Sequence, residues 1–225
     1  MATPIAVLGA GHIGGNLARL LAAAGHEVTI SFAHDEDELA RLARELDVSA
    51  AGPAEAVAGA EVVVLSVPWG AVDEALARAG GPEALAGRIV VDTTNQFGRV
   101  DGRFGVLDLG GVSAAAHNAA KAPDARWVKA FNTLTAGFQA SAAGRTGPDR
   151  VVVFYGCAAD DLAPAADGLI DDAGFVPVPT GTLDRDDVGH QEPKGDLYGE
   201  EFHRDEALAL VARLRGTPPS GRGRP

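Results

Sequence analysis

One short stretch limits the folds open to this chain more than any other: Ile5-Ala6-Val7-Leu8, then Gly9-Ala10-Gly11-His12-Ile13-Gly14, then a helical segment from Asn16 to Ala24. The apolar run has the character of a buried strand. Gly25 stops the helix, and Glu27-Val28-Thr29-Ile30-Ser31-Phe32 reads as a second strand. A lone G-x-G-x-x-G is a common glycine-rich turn, but between a strand and a helix inside a βαβ unit it carries a mechanism. Gly9 permits the tight turn, Gly11 lets the backbone approach a pyrophosphate, and Gly14 lets helix and strand pack closely. Free N–H groups and the positive end of the helix dipole, at His12 and Ile13, then favour phosphates. Gly9, Gly11, His12, Ile13 and Gly14 are therefore expected to hold a dinucleotide.

Strands and helices alternate beyond this unit, which predicts an α/β fold with a doubly wound parallel sheet. Acidic Asp35-Glu36-Asp37-Glu38 opens a helix whose face is Leu39, Leu42, Ala43 and Leu46. Short elements follow: a strand at Val48 to Ala51 and a proline-started helix at Pro53 to Ala58. Glu61 to Val67 is a buried strand ended by Pro68-Trp69-Gly70, a helix runs from Val72 to Ala79, and Arg88 to Thr93 is the next strand. Gly98 to Gly111 reads as loop with a short strand at Val106 to Leu109. Ser113 caps a helix to Ala122, and Trp127 to Phe131 is a sixth main strand. Residues 1–134 make a dinucleotide-binding domain on this reading. A smaller C-terminal α/β domain, 135–215, has strands at Val151 to Tyr155 and Phe175 to Val178. Its last helix, His203 to Arg215, is expected to pack through Leu208, Val211, Ala212 and Arg215. Residues 216–225 hold nothing to bury and are expected to be disordered.

Composition bounds the partners. The net charge of −12 argues against nucleic acid and anionic membranes, and no apolar run approaches the ~20 residues of a membrane span. Met1-Ala2-Thr3-Pro4 leads straight into the first strand, leaving no room for a signal peptide, so a cytoplasmic protein is expected. The single cysteine, Cys157, excludes internal disulfides and multi-cysteine metal sites; no metal is expected. At the end of an apolar run, it suits a buried packing role.

NAD-binding folds place an acidic residue at the end of the second strand, on the ribose 2′-OH. Here that place holds Ser31-Phe32-Ala33-His34. A hydroxyl plus an imidazole suits a 2′-phosphate better than an acid would, which favours NADP over NAD. Asp35 to Asp37 would oppose it if they pointed inward, while Arg41 and Arg44 could reach back from the helix.

With these motifs in view, the chain resembles the NADP-dependent F420 reductase family (F420H2:NADP oxidoreductase-like), in a branch without an assigned substrate. The matching residues are the glycine loop, Ser66-Val67-Pro68-Trp69, Asp92-Thr93-Thr94-Asn95 and Val128-Lys129-Ala130-Phe131-Asn132-Thr133. Asp172-Ala173-Gly174-Phe175, Glu192-Pro193 and Leu197-Tyr198-Gly199 match as well. The resemblance implies a Rossmann domain holding NADP, a small C-terminal domain closing over the nicotinamide, and a homodimer. It also implies hydride transfer with a flavin-like or deazaflavin (F420-type) partner. Carried onto this chain, Ser31, Phe32 and His34 would meet the 2′-phosphate end, and Ser66, Val67 and Pro68 the nicotinamide ribose. Asn95 and Asn132 would line the nicotinamide and partner pocket. Two departures stand out: His34 takes the place where an arginine is usual after strand 2, and Lys129 to Asn132 differs from the true F420 reductases.

Ring-to-ring hydride transfer needs stacked rings, with reacting carbons ~3–3.5 Å apart, more than acid–base groups. An imine or ketone substrate would require a proton donor. Candidates are Lys129, His117, His190 and Tyr198, with Asn132 as a further catalytic candidate. Each also has an ordinary role. Lys129 alternates out of an apolar strand and reads first as a solvated or edge charge. His117 and Asn118 suit a helix surface, His190-Gln191-Glu192 a polar loop, and Tyr198 packing. Trp69 either stacks on a ring or plugs the helix–sheet seam. A non-catalytic NADP-sensing module is the remaining alternative.

Overall fold

The computed structural model describes residues 2–31 and 35–221. The first half runs β1 (Pro4–Leu8), α1 (His12–Ala23), β2 (Glu27–Ser31), α2 (Glu36–Leu46), β3 (Ser49–Ala50), α3 (Pro53–Ala58), β4 (Val62–Leu65), α4 (Val72–Arg78), α5 (Pro82–Leu85) and β5 (Ile89–Asp92). A hairpin follows, β6 (Phe97–Val100) and β7 (Arg103–Val106), then α6 (Ala114–Ala119), β8 (Arg126–Ala130), α7 (Ala136–Ala142) and β9 (Val152–Cys157). The chain continues through α8 (Ala163–Asp172), β10 (Val176–Gly181), α9 (Arg185–Val188) and α10 (Arg204–Leu214).

Eight strands form one sheet in the order β10-β9-β8-β5-β4-β1-β2-β3. From β3 to β8 every pairing is parallel. The chain reverses its direction of travel across the sheet between β1 and β4, a topological switch point where open α/β sheets bind ligands. These strands read as unbroken apolar runs because both faces are covered. Val7, Ile30, Val64 and Val128 pack under α1 on one face, while Leu8, Val63, Leu65 and Trp127 pack on the other with Val57, Leu76 and Leu85. α1 ends as its sequence predicts. Gly25 takes φ +94°, while the His26 N–H reaches the Leu21 carbonyl and the Gly25 N–H that of Ala22.

Two expectations need correction, the loop at 98–111 and the face of α10, and two further features bear on the expected division of the chain. The boundary at 134/135 marks no break in the sheet, because β9 pairs antiparallel with β8 and β10 parallel with β9. α7 packs on α1, the Asn16 side-chain amide donating to the Ala136 carbonyl at 2.8 Å. The chain then re-enters the sheet from its carboxyl edge. The supposed loop at 98–111 contains the β6–β7 hairpin. Its turn is Asp101-Gly102, both at positive φ, the two-residue turn whose twist matches paired strands.

The apolar face of α10 is Ala207, Leu210, Val211 and Leu214, against Phe154 and Val178. Leu208, Ala212 and Arg215 lie exposed; the predicted face was out of phase with the core. Finally, residues 216–221 make contacts with the preceding chain. The Thr217 carbonyl lies 2.8 Å from His190 Nε2, and Ser220 donates to Asp196 through its N–H at 3.1 Å and through its hydroxyl. Residues 222–225 lie outside the described residues.

No helix among the described residues is long and apolar enough to cross a membrane. Cys157 is buried, and burial pushes its thiol up to about 12, as a packing role requires.

Candidate active site

The three motif glycines answer to three different constraints. Gly9 sits at φ +103°, and a Cβ there would lie 2.2 Å from the Ser66 carbonyl oxygen. A Cβ on Gly14 would lie 1.9 Å from the Gly9 carbonyl oxygen. Both exclude any side chain within the protein itself. Gly11 meets nothing within 4 Å: the space before it is open. It caps α1 without a side-chain bond, and the first intrahelical bond runs from the Gly15 N–H back to the Gly11 carbonyl. The N–H groups of the first turn, including those of exposed His12 and half-buried Ile13, therefore face an unfilled space at the positive helix end. This cradle fits a pyrophosphate.

The ends of β4, β5 and β8 gather around it. Ser66 is anchored by its N–H to the Leu8 carbonyl at 2.8 Å, and Val67 touches the position of the missing Gly9 side chain. Pro68 is exposed beside them. Asn95, just past β5, and Asn132, just past β8, bond to each other reciprocally. Asn132 Nδ2 donates to Asn95 Oδ1 at 3.1 Å, and Asn95 Nδ2 donates to the Asn132 carbonyl at 2.9 Å. Asn132 Nδ2 also reaches the Gln191 carbonyl at 2.7 Å. Its Oδ1 is buried with no donor among the described residues. Phe131, between Lys129 and this pair, holds φ +60°, a strained conformation for a bulky residue.

Lys129 is neither solvated nor at an edge; it is completely buried. β9 lies outside β8, so the strand expected at the margin is interior. Lys129 is the register partner of Asp92 on β5, and its Nζ donates to Asp92 Oδ2 at 3.1 Å and to the Thr94 carbonyl. Asn118, expected on the surface, is also fully buried. It donates to Asp92 Oδ2 at 3.0 Å and Thr94 Oγ1 at 3.1 Å. The Thr94 N–H closes the group on Asp92 Oδ1 at 2.8 Å. Glu192 lies close by, accepting from the Ala115 N–H at 3.1 Å and from Gln96 Nε2 at 3.3 Å. Burial raises its carboxyl above the ordinary value, although the Lys129 charge pulls the other way.

The proposed proton donors do not converge on one point. His190 is committed at both ring nitrogens, to Asp196 Oδ2 and the Thr217 carbonyl, each at 2.8 Å. His117 is exposed and lies beside Trp69, ring centres 5.4 Å apart and planes tilted by 36°. Of the four, Tyr198 alone stands beside the asparagine pair, its hydroxyl oxygen 3.5 Å from Asn95 Nδ2; burial pushes its hydroxyl above the ordinary tyrosine pKa, making it a weaker acid. At the tip of β2, Ser31 is buried and its hydroxyl donates to the Ala51 carbonyl at 2.7 Å. Phe32 and His34 lie outside the described residues. Asp35 turns its carboxylate onto its own helix, accepting from the Asp37 N–H at 2.8 Å. Arg41 pairs with Glu45 at 2.5 Å instead of reaching back.

The carboxyl-edge residues that sequence reasoning did not assign to the site are Asp92, Gln96, Asn118, Gln191 and Glu192. One signal was there to read: opposite charges, Asp92 and Lys129, in consecutive apolar strands of a parallel sheet. The contacts made by the 189–195 turn had no counterpart in the local pattern. No group of three or more metal-ligating side chains occurs among the described residues.

Comparison with known proteins agrees with this geometry. Residues 4–96 match the family described as NADP oxidoreductase, coenzyme F420-dependent. No protein of curated function matches the chain. Among solved structures, a hypothetical protein of Sinorhizobium meliloti is 29% identical with a TM-score of 0.76, covering 91% of this chain and 97% of its own. An Arthrobacter sp. FB24 protein described as a candidate F420-dependent NADP reductase is also 29% identical. Its TM-score is 0.70, over 81% of this chain and 86% of its own. An imine reductase of Myxococcus stipitatus, solved with NAD+, shares the fold at 16% identity and a TM-score of 0.59, over 95% of this chain and 60% of its own. Residues 4–96 thus resemble the NADP oxidoreductase, coenzyme F420-dependent family, and the chain is an NAD(P)-dependent oxidoreductase with a nucleotide-binding fold.

Proposed function

We propose that this protein transfers hydride between NADP(H) and a flavin-like or deazaflavin partner. NADP(H), when bound, supplies or accepts the hydride. The chain's residues bind and orient: the Gly9–Gly14 loop seats the pyrophosphate, and Ser66 to Pro68 border the nicotinamide ribose. Asn132 Oδ1 offers a buried acceptor to a carboxamide N–H. The observation that carries the reading is the state of the proton donors. Lys129 and His190 are bonded within the protein, and His117 lies beside Trp69. Such a site suits a transfer that needs alignment and no proton. NADP is favoured over NAD because the Asp35 carboxylate is engaged as the cap of α2. A homodimer belongs to the same reading and is tested by light scattering.

Tyr198 supports a second reading, an imine or carbonyl reductase, since its hydroxyl oxygen accepts from Asn95 and leaves its own proton free to be donated. Stopped-flow oxidation of bound NADPH separates the two, with F420, FMN, FAD and a simple cyclic imine offered in turn. Rapid oxidation by F420 or a flavin alone supports the first. Oxidation by the imine alone, lost in Tyr198→Phe, establishes the second. In the same assay, His34→Asp should shift the NADPH/NADH affinity ratio toward NADH; an unchanged ratio would remove His34 from ribose recognition.

A further inference from the structure

A cavity of about 340 Å³ opens between the end of β5, the segment after the hairpin, α9, and the turn at 192–195, within the size range of small-molecule sites. Leu107, Leu109, Val112 and Pro219 give it apolar walls. Gln96 and Glu192 line it from within, each more than nine-tenths buried. The Glu192 carboxylate is already held by the Ala115 N–H and Gln96 Nε2. Gln96 Oε1, in contrast, is buried with no donor among the described residues. An acceptor buried in this way costs about 1–3 kcal/mol unless something donates to it.

Two cations, Arg185 and Lys194, stand exposed on the lining. Among the described residues neither side chain makes a hydrogen bond or ion pair. Asp108, on the lining, accepts from the Gly110 N–H, and Asp187 of α9 accepts from Thr182. Lys194 is presented by a strained turn at φ +71°. Gly195 locks that turn, since a Cβ there would lie 2.3 Å from the His190 carbonyl oxygen.

We propose that this cavity binds a small organic anion, an aliphatic body carrying a carboxylate or phosphate. The anionic group sits between Arg185 and Lys194, the body lies against the leucine and proline walls, and a polar hydrogen of the ligand meets Gln96 Oε1. The assignment stands independently of the hydride-transfer reading.

The test is calorimetric titration of the full chain, first saturated with NADPH so that the glycine loop is filled. The probes are hexanoate, hexyl phosphate and, as the uncharged control, hexanol. Saturable binding of either anion, with hexanol weaker by about tenfold, is expected. So is a loss of about tenfold in the doubly substituted Arg185→Gln, Lys194→Gln protein, whose NADPH affinity should be unchanged. The tighter of the two anions identifies the ligand class. Hexanol binding as well as the anions, anion binding undiminished in the variant, or no saturable binding would overturn the proposal. NADPH affinity is read separately by nicotinamide fluorescence. A failure there counts against the proposed function and leaves the comparison of wild type with variant intact.

Discussion

Gly11 and Gly14 differ by three positions and by what a methyl group would do at each. At Gly14 it would collide with the Gly9 carbonyl oxygen, so Gly14→Ala should destabilise the fold by about 3 kcal/mol through overpacking. At Gly11 it meets only open space. Gly11→Ala should melt like wild type yet bind NADPH at least about tenfold more weakly. Thermal melts paired with NADPH titration check both. Equal NADPH affinity in Gly11→Ala would place the pyrophosphate elsewhere. The Lys129–Asp92 pair invites a double-mutant cycle. Lys129→Met alone leaves Asp92 buried without its cation and should cost about 3 kcal/mol, whereas adding Asp92→Asn should recover part of that loss. Additive costs in urea unfolding would mean that the pair is not coupled.

At the scale of elements, the 189–195 turn does most to join the C-terminal part to the site. Gln191 donates to the Lys129 carbonyl at 3.2 Å and accepts from Asn132 through its own carbonyl, and Glu192 ties the turn to the first residues of α6. The raised carboxyl of Glu192 makes this tie pH-dependent. In the window above its ordinary value of 4.5 the folded chain binds more proton than the unfolded one. Stability from this group therefore falls as pH rises through that window. Glu192→Gln should remove the effect, so the variant's melting temperature relative to wild type should climb between about pH 4.5 and 7. A constant difference across that range would mean that Glu192 titrates as it does in the unfolded chain.

Across the whole molecule, β9 and β10 complete a single sheet and cover β8, which places Lys129 in the interior. One core runs from Ile5 to Phe175 across the supposed domain boundary. Wild type should therefore unfold in one cooperative transition, and a chain ending at residue 150 should show none. Two resolved transitions in calorimetry, or a cooperative melt of the shortened chain, would restore the two-domain division.

The amino-acid sequence by itself determined the βαβ start, the parallel order of apolar strands and the close approaches at Gly9 and Gly14. These follow from local periodicity and from backbone sterics, which act over a few residues. It also held the hairpin signal Asp101-Gly102, overlooked because the flanking glycines masked the strand alternation. Tertiary structure alone decided that β8 is interior, that Lys129 and Asn118 share Asp92, and that Asn95 and Asn132 form one pair. It also decided that the 189–195 turn and Thr217 to Gly221 close around the carboxyl edge. Those contacts join residues separated by 24 to 96 positions. Burial and pairing at such range depend on which strand lies next to which, a property of the assembled sheet that no local window contains.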